Sequence, residues 1–309
     1  MNSVVDLAAS ILGSLAQRDI PLGVRTTYRV GGAARLLVEA RSLDDLRLVH
    51  RAHLESTLPV LLVGRGSNLL VADRGFDGIA VVLAGFDEVS SSGSVVTAGG
   101  AVALPVLART TARLALTGLE WAVGVPGSVG GGVRMNAGGH GSDIAANLVG
   151  VHVFDVATGQ DGDVPATLLG LRFRGSDIRD DQVVLSATFQ LAPGNREASE
   201  AELTEIVRWR RQHQPGGQNA GSVFVNPIPG VLSAGQVIDE VGLRGFRIGT
   251  ASVSEKHANF IQADDNGSAD DVARVMAHVR AAVLRDRGLD LHSENRLVGF
   301  DAADLPGAT

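Results

Sequence analysis

Two glycine-rich loops hold the residues of this 309-residue chain that are best placed for chemistry. The first, Gly64-Arg65-Gly66-Ser67-Asn68, lies between two apolar runs and continues into Leu69. Glycine lets the backbone take φ > 0 and lets a ligand come close, and successive exposed N–H groups make a concavity for an anion. With Ser67 and Asn68 as extra donors, the loop can hold a pyrophosphate; by itself it is also the pattern of a tight β-turn. The second loop is Gly124-Val125-Pro126-Gly127-Ser128-Val129-Gly130-Gly131-Gly132, which runs on to Met135-Asn136-Ala137-Gly138-Gly139. Nine glycines fall in the 24 residues 118–141. Each costs roughly 0.5–1 kcal/mol against alanine in a regular element, so such a stretch is either a flexible loop or a place where something lies flat against the main chain.

Other chemistries are excluded by what is missing. There is no cysteine, which removes thiolate zinc sites, iron–sulfur clusters, disulfides and cysteine nucleophiles. Lys256 is the single lysine among 27 basic residues, so a Schiff base has one candidate. Neither the phosphate loop ending in Gly-Lys-Ser/Thr nor a Gly-x-Gly-x-x-Gly opening a helix occurs. His50 and His53 are too isolated for a metal site, and none is expected. The net charge of −7 gives no footprint for nucleic acid, and no apolar run is long enough to span a membrane. Residues 1–17 lack a basic leader and read as a short surface helix, so the expected compartment is the cytoplasm.

The elements that must carry these loops are mixed. Strands are expected over 35–40, 60–63, 79–83, 94–98, 149–155 and 183–191, from apolar runs bounded by turn residues. Helices are expected over 43–53 with Ser42 as N-cap, 104–116, 200–213 and 269–287 with Gly288 as the stop. The fold class is therefore α/β (α+β), in two glycine-rich pieces, 1–85 and 86–194, and a more helical piece, 195–309, after a linker near Pro193.

The motifs occur in an order that resembles a known family. Thr27-Tyr28-Arg29-Val30-Gly31-Gly32, the two glycine loops, Met135-Asn136-Ala137-Gly138, Ala220-Gly221-Ser222-Val223-Phe224-Val225-Asn226-Pro227, His257-Ala258-Asn259-Phe260-Ile261 and Glu294-Asn295-Arg296-Leu297-Val298-Gly299 follow one another. Together they are similar to the UDP-N-acetylenolpyruvoylglucosamine reductase (MurB) family, in its shorter class without an inserted Tyr lid. The resemblance implies a two-subdomain FAD-binding fold of the vanillyl-alcohol-oxidase type, formed by the first two pieces, and a C-terminal α/β substrate domain.

It also implies FAD as cofactor, NADPH as co-substrate and an enolpyruvyl UDP-sugar as substrate, in peptidoglycan precursor synthesis. Ser222 would give the proton, Glu294 would stabilise the charge that builds up beside the carboxylate, and Arg174 would pair with that carboxylate. Tyr28, Gly64, Arg65, Gly66, Ser67, Asn68, Leu69, Gly124, Pro126, Gly127, Ser128, Gly130, Asn136, Gly138 and Arg296 would contact the cofactor. Asn226, His257 and Asn259 would contact the substrate. The chain is expected to act as a monomer, with no nucleic-acid or membrane partner.

Some positions depart from the family pattern. Val225 replaces a lysine, Phe173 a tyrosine before Arg174, and Gly139-His140 an Ala-Tyr pair. Val225 removes a cation that could neutralise phosphate, and leaves open a sister FAD oxidoreductase acting on another small alcohol or sugar.

Overall fold

The computed structural model describes residues 2–301. The chain divides into two compact units, neither continuous in sequence. The first contains residues up to Asp19, Arg35–Arg65 and Asp77–Arg210; the second contains Ile20–Ala34, Gly66–Phe76 and the chain from Arg211 onward.

The first unit has two larger sheets, two two-stranded ones and two cores among the described residues. One sheet orders its strands Gln17–Pro21, Ala33–Ala40, Phe76–Leu83 and Val60–Val63, the last two parallel, with Val60 opposite Ile79. Helix Leu43–Ser56 begins with Ser42, whose hydroxyl accepts from the Asp45 N–H while the Asp45 carboxylate accepts from the Ser42 N–H. This closed pair of bonds satisfies two donors the helix leaves open. Leu36, Val38, Leu46, Val49 and Ile79 bury completely around it, together with Ala8 of the helix Asn2–Leu12. The opening helix is thus partly inside, not simply on the surface.

The second sheet is antiparallel: Asp161–Pro165, Leu148–Asp155, Gln182–Gln190, Val95–Gly99, Val89–Ser92. Helix Leu104–Arg113 lays Leu104, Leu107, Ala108, Thr111 and Ala112 into its core, the i, i+3, i+4 set expected from sequence.

The second unit packs helices Ala234–Glu240 and Ala269–Arg287 with a three-stranded antiparallel sheet, Arg247–Ile248, Ala251–Val253 and Ile261–Ala263. The long helix has the expected bounds. Ser268 caps it, Asp270 and Asp271 occupy its first turn, Arg285 and Arg287 its last, and Gly288 ends it at φ 65°. Val272, Val275, Met276, Val279 and Val283 are buried along one face, each worth about 1.5–3 kcal/mol of apolar burial.

Two distant segments are drawn into this unit. Leu69–Val71 pairs in parallel with Arg296–Val298. Asp73 accepts from the Ser268 hydroxyl at 2.5 Å and the Ala269 N–H at 2.9 Å, at the start of the long helix. Gly31 brings residues 20–34 against this segment: a Cβ there would lie 2.3 Å from Val71 O, so only glycine permits the approach.

Candidate active site

In the second unit, the chain from Gly66 to Asn68 presents main-chain donors. Gly66 sits at φ +61°, and a Cβ on it would lie 2.1 Å from Arg25 O. Its carbonyl accepts from the Thr27 N–H at 3.1 Å, which seats the loop on residues 25–27. Among the described residues, the N–H groups of Gly66, Ser67 and Asn68 donate to no protein acceptor. The buried Thr27 hydroxyl beside them has no partner either. A buried polar group without a partner is costly, and this set of donors fits an anionic oxygen such as that of a dinucleotide pyrophosphate. Thr27 was missed from sequence; its adjacency to Tyr28 in the same motif was the available signal.

The other expected contacts of this region are structural in part. Tyr28 is fully buried in the second unit's core, and burial pushes its phenol up. Leu69 is buried in the strand opposite Arg296. The Arg296 N–H donates to Asn68 O at 2.9 Å. Gly64 and Arg65 are exposed at the end of the first unit.

Ser222 and Glu294 lie on neighbouring segments of the second unit. The Glu294 N–H donates to Val223 O at 2.7 Å, the Val225 N–H to His292 O at 3.0 Å, and Phe224 bridges Ser293. Both Ser222 and Glu294 are half-buried. Asn259 braces this pairing from the far side: its Oδ1 accepts from the Phe224 N–H at 2.9 Å and its Nδ2 donates to Phe224 O at 2.8 Å. Both ends of its buried amide are thereby engaged by the Phe224 main chain. His257 accepts from the Asn259 N–H at 3.2 Å and meets Phe260 edge-on. Burial, aided by the Arg244 charge, pushes its imidazole below the ordinary value, so it is neutral at pH 7. Asn226 is exposed and accepts from the Ala234 N–H at 3.0 Å.

The first unit carries the second glycine loop and Arg174. Part of the stretch read as a glycine loop forms a short helix, Val129–Arg134, because Ser128 caps it: its hydroxyl accepts from the Gly131 N–H and its carbonyl from the Gly132 N–H. The Gly130 N–H is taken by Gly100 O at 2.9 Å, so Gly130 has no N–H for a phosphate. The N–H groups of Gly127 and Ser128 donate to no acceptor among the described residues. Gly124 is buried and Pro126 exposed.

Arg174 stands at the tip of a two-residue turn closed by reciprocal bonds between Arg172 and Gly175, at 2.9 and 3.1 Å. Its φ is +57°, a conformation that costs an L-residue roughly 1–2 kcal/mol. Its Nη1 donates to Gly138 O at 3.1 Å, and its guanidinium lies 5.1 Å from the centre of the Phe173 ring. Asn136 organises the turn from beneath. Its Nδ2 donates to Arg172 O and Asp143 Oδ2, both at 3.1 Å, and its Oδ1 accepts from the Ala145 N–H. Phe173, in place of the tyrosine, is 61% exposed, so the substitution leaves no buried hydroxyl to satisfy.

Comparisons with known proteins agree with the residues. An FAD binding domain model matches residues 34–161, and a model of the UDP-N-acetylenolpyruvoylglucosamine reductase C-terminal domain matches 212–298. The reductase of Heliobacterium modesticaldum is 41% identical over 299 residues, covering 93% of this chain and 92% of its own. The chain belongs to the UDP-N-acetylenolpyruvoylglucosamine reductase family. The Bacillus subtilis reductase is 35% identical across 90% of this chain and 92% of its own length. The crystal structure of the Thermus caldophilus reductase (MurB) superimposes with a TM-score of 0.79 at 32% identity, covering 92% of this chain and 98% of that one. As a member of this reductase family with an FAD binding domain, the protein is an FAD-dependent oxidoreductase.

Proposed function

We propose that this protein reduces the enolpyruvyl ether of a UDP-sugar, as the names of its relatives indicate, using NADPH, in the synthesis of a peptidoglycan precursor. The reading extends to a cytoplasmic monomer. Three hydrophobic cores favour a division into two flavin-binding parts, 1–85 and 86–194, and a substrate part, 195–309, but they overlap its boundaries: the first also takes in Phe154, Val156, Val183 and Leu185, and the second Leu203 and Ile206. The third of these cores also takes in Tyr28, Val30 and Leu70.

FAD, when bound, would supply the hydride chemistry between NADPH and the terminal carbon of the enolpyruvyl group. The residues of the chain supply the rest. The N–H groups of Gly66, Ser67 and Asn68 hold a phosphate, and those of Gly127 and Ser128 are further donors. Ser222 gives the proton to the carbon next to the substrate carboxylate. A hydroxyl is a weak acid in water, so it acts only where it is held at the carbon whose charge it meets. Glu294, whose main chain is bonded to that of Val223, stands beside that transfer. It serves as a neutral acid or through a hydrogen bond, since a bare carboxylate would repel the developing charge. Arg174 pairs with the substrate carboxylate through charge-assisted hydrogen bonds; the strain in its turn is a cost that a positioning task accounts for.

The observation that carries this reading is the seating of Ser222 and Glu294 on paired segments of one unit, beside a loop whose N–H groups are unmatched by protein. NADPH oxidation that depends on the enolpyruvyl UDP-sugar, run in deuterated water, tests it. The product should carry one solvent deuteron on the carbon beside the carboxylate. NADPH oxidation indifferent to that sugar would overturn the reading.

A further inference from the structure

Asn295 is 5% exposed and adjacent to Glu294, and no role falls to it from the motifs. Its Nδ2 donates to Asn68 Oδ1 at 2.9 Å and lies 3.3 Å from Ala220 O and 3.4 Å from Ser222 O. Asn68 closes the circuit, because its own Nδ2 donates to Glu294 O at 2.9 Å. The orientation of both amides follows: turning either one would set two acceptors or two donors face to face. One pair of amides, Asn295 buried and Asn68 half-buried, thus joins three stretches of the second unit. These are the donor loop at 66–68, the segment 220–222 that carries Ser222, and the segment 294–296 that carries Glu294.

We propose that the Asn68–Asn295 amide pair is a positioning device that locks Ser222 and Glu294 to the loop receiving the cofactor phosphate. The inference rests on the reductase reading. Proton transfer is sensitive to small displacements, since a misplacement of about 1 Å can cost on the order of 100-fold in rate. Asn295 touches the carbonyls on both sides of Gly221, the glycine before Ser222, so it sets where that hydroxyl stands. Hydride acceptance from NADPH makes no use of Ser222, so the device acts on one half of the reaction and not the other.

Anaerobic rapid mixing of the flavin-loaded protein separates the two halves. In the wild-type protein, NADPH bleaches the flavin and the enolpyruvyl UDP-sugar restores it; failure there would overturn the reductase reading itself and not the role of Asn295. For Asn295→Leu, bleaching by NADPH should stay within about 2-fold and restoration by the sugar should slow about 10- to 100-fold. Asn295→Asp keeps the size and carries the test if the leucine variant does not fold. Near about pH 8 its carboxylate has no donor for Asn68, and restoration should be as slow. Near about pH 6 the protonated carboxyl regains one donor, burial favouring that form, and the rate relative to wild type should recover several-fold. In the flavin-free Asp variant, amide exchange at residues 220–224 should be faster than wild type near pH 8. Equal slowing of both halves at every pH, or no slowing of either, would overturn the proposal.

Discussion

Replacing Gly66 by alanine is a direct perturbation of the donor loop, and its size follows from two features of the site. The first is conformation: at φ +61° an alanine costs roughly 1–2 kcal/mol. The second is space. The new Cβ would lie 2.1 Å from Arg25 O and 2.6 Å from Thr26 Cα, where ordinary contact begins at 3.4 Å. Both obstacles are main chain, so the loop must lift by about 1 Å. That breaks the bond from the Thr27 N–H to Gly66 O, a further loss of about 0.5–1.5 kcal/mol. Taken together, Gly66→Ala should destabilise the second unit by about 1.5–3.5 kcal/mol and weaken flavin binding by at least about tenfold.

Gly288→Ala is the matched control. Gly288 lies in the same unit at φ +65°, with nothing within 4 Å of a Cβ, so it carries the conformational cost alone. Urea unfolding of the flavin-free variants, with flavin affinity from fluorescence quenching, makes the comparison. The reasoning is refuted if the two variants lose equal stability, or if Gly66→Ala binds flavin as tightly as Gly288→Ala does.

Three further outcomes follow from named groups. Ser222→Ala should leave flavin bleaching by NADPH intact and slow its restoration by the sugar by about 10²–10⁴-fold; single-turnover mixing measures both. Asp271 is held below the usual carboxylate range, first by the Thr250 N–H and then by the Thr250 hydroxyl and Arg274. Its folded value lies below its unfolded one, so its stabilisation is present above the unfolded value and lost as pH falls through the folded one. Asp271→Asn should therefore cost about 1–3 kcal/mol near pH 7 and progressively less in acid, as denaturation at several pH values will record. His152 shows the opposite sign. Its Nδ1 meets Asp163 at 2.6 Å and its Nε2 meets Asp161 at 3.0 Å, and the Asp163 bond does most to raise its imidazole. That stabilisation is full below the unfolded imidazole value and disappears as pH rises through the folded one. With Asp163 exposed, it should amount to less than about 1 kcal/mol, and His152→Asn should remove the pH dependence.

The sequence was most readable where local signals agreed. The helix Ala269–Arg287 could be bounded to the residue because its cap, acidic first turn, apolar face and terminal glycine are all within its own span. The strand Val60–Val63 and the helix starting at Leu43 were equally plain. Val129–Arg134 was not, because three glycines read as broken main chain, whereas Ser128 caps them and Gly132 packs on Leu104. The two- and three-residue strands at 247–263 and 296–298 are too short to show a period. Discontinuity hid the second unit, whose parts at 20–34 and 66–76 are joined to it by close glycine contacts and the Asp73 bonds. Of the candidate site, Ser222 and Glu294 were legible as motif members, but the Asn68–Asn295 tie spans 227 positions and leaves no local pattern. Asn259 lies in a motif as plain as theirs; only its bonds to Phe224 show that it braces the backbone.

A flavin that NADPH reduces and an enolpyruvyl sugar reoxidises is what the chain is expected to hold. Anaerobic titration of the purified, flavin-loaded protein tests it most directly. NADPH should bleach the visible flavin absorption, and the enolpyruvyl UDP-sugar should then restore it in full without oxygen. Protein that folds but takes up no flavin, or reduced flavin that only oxygen can restore, would mean that the chain is not such a reductase.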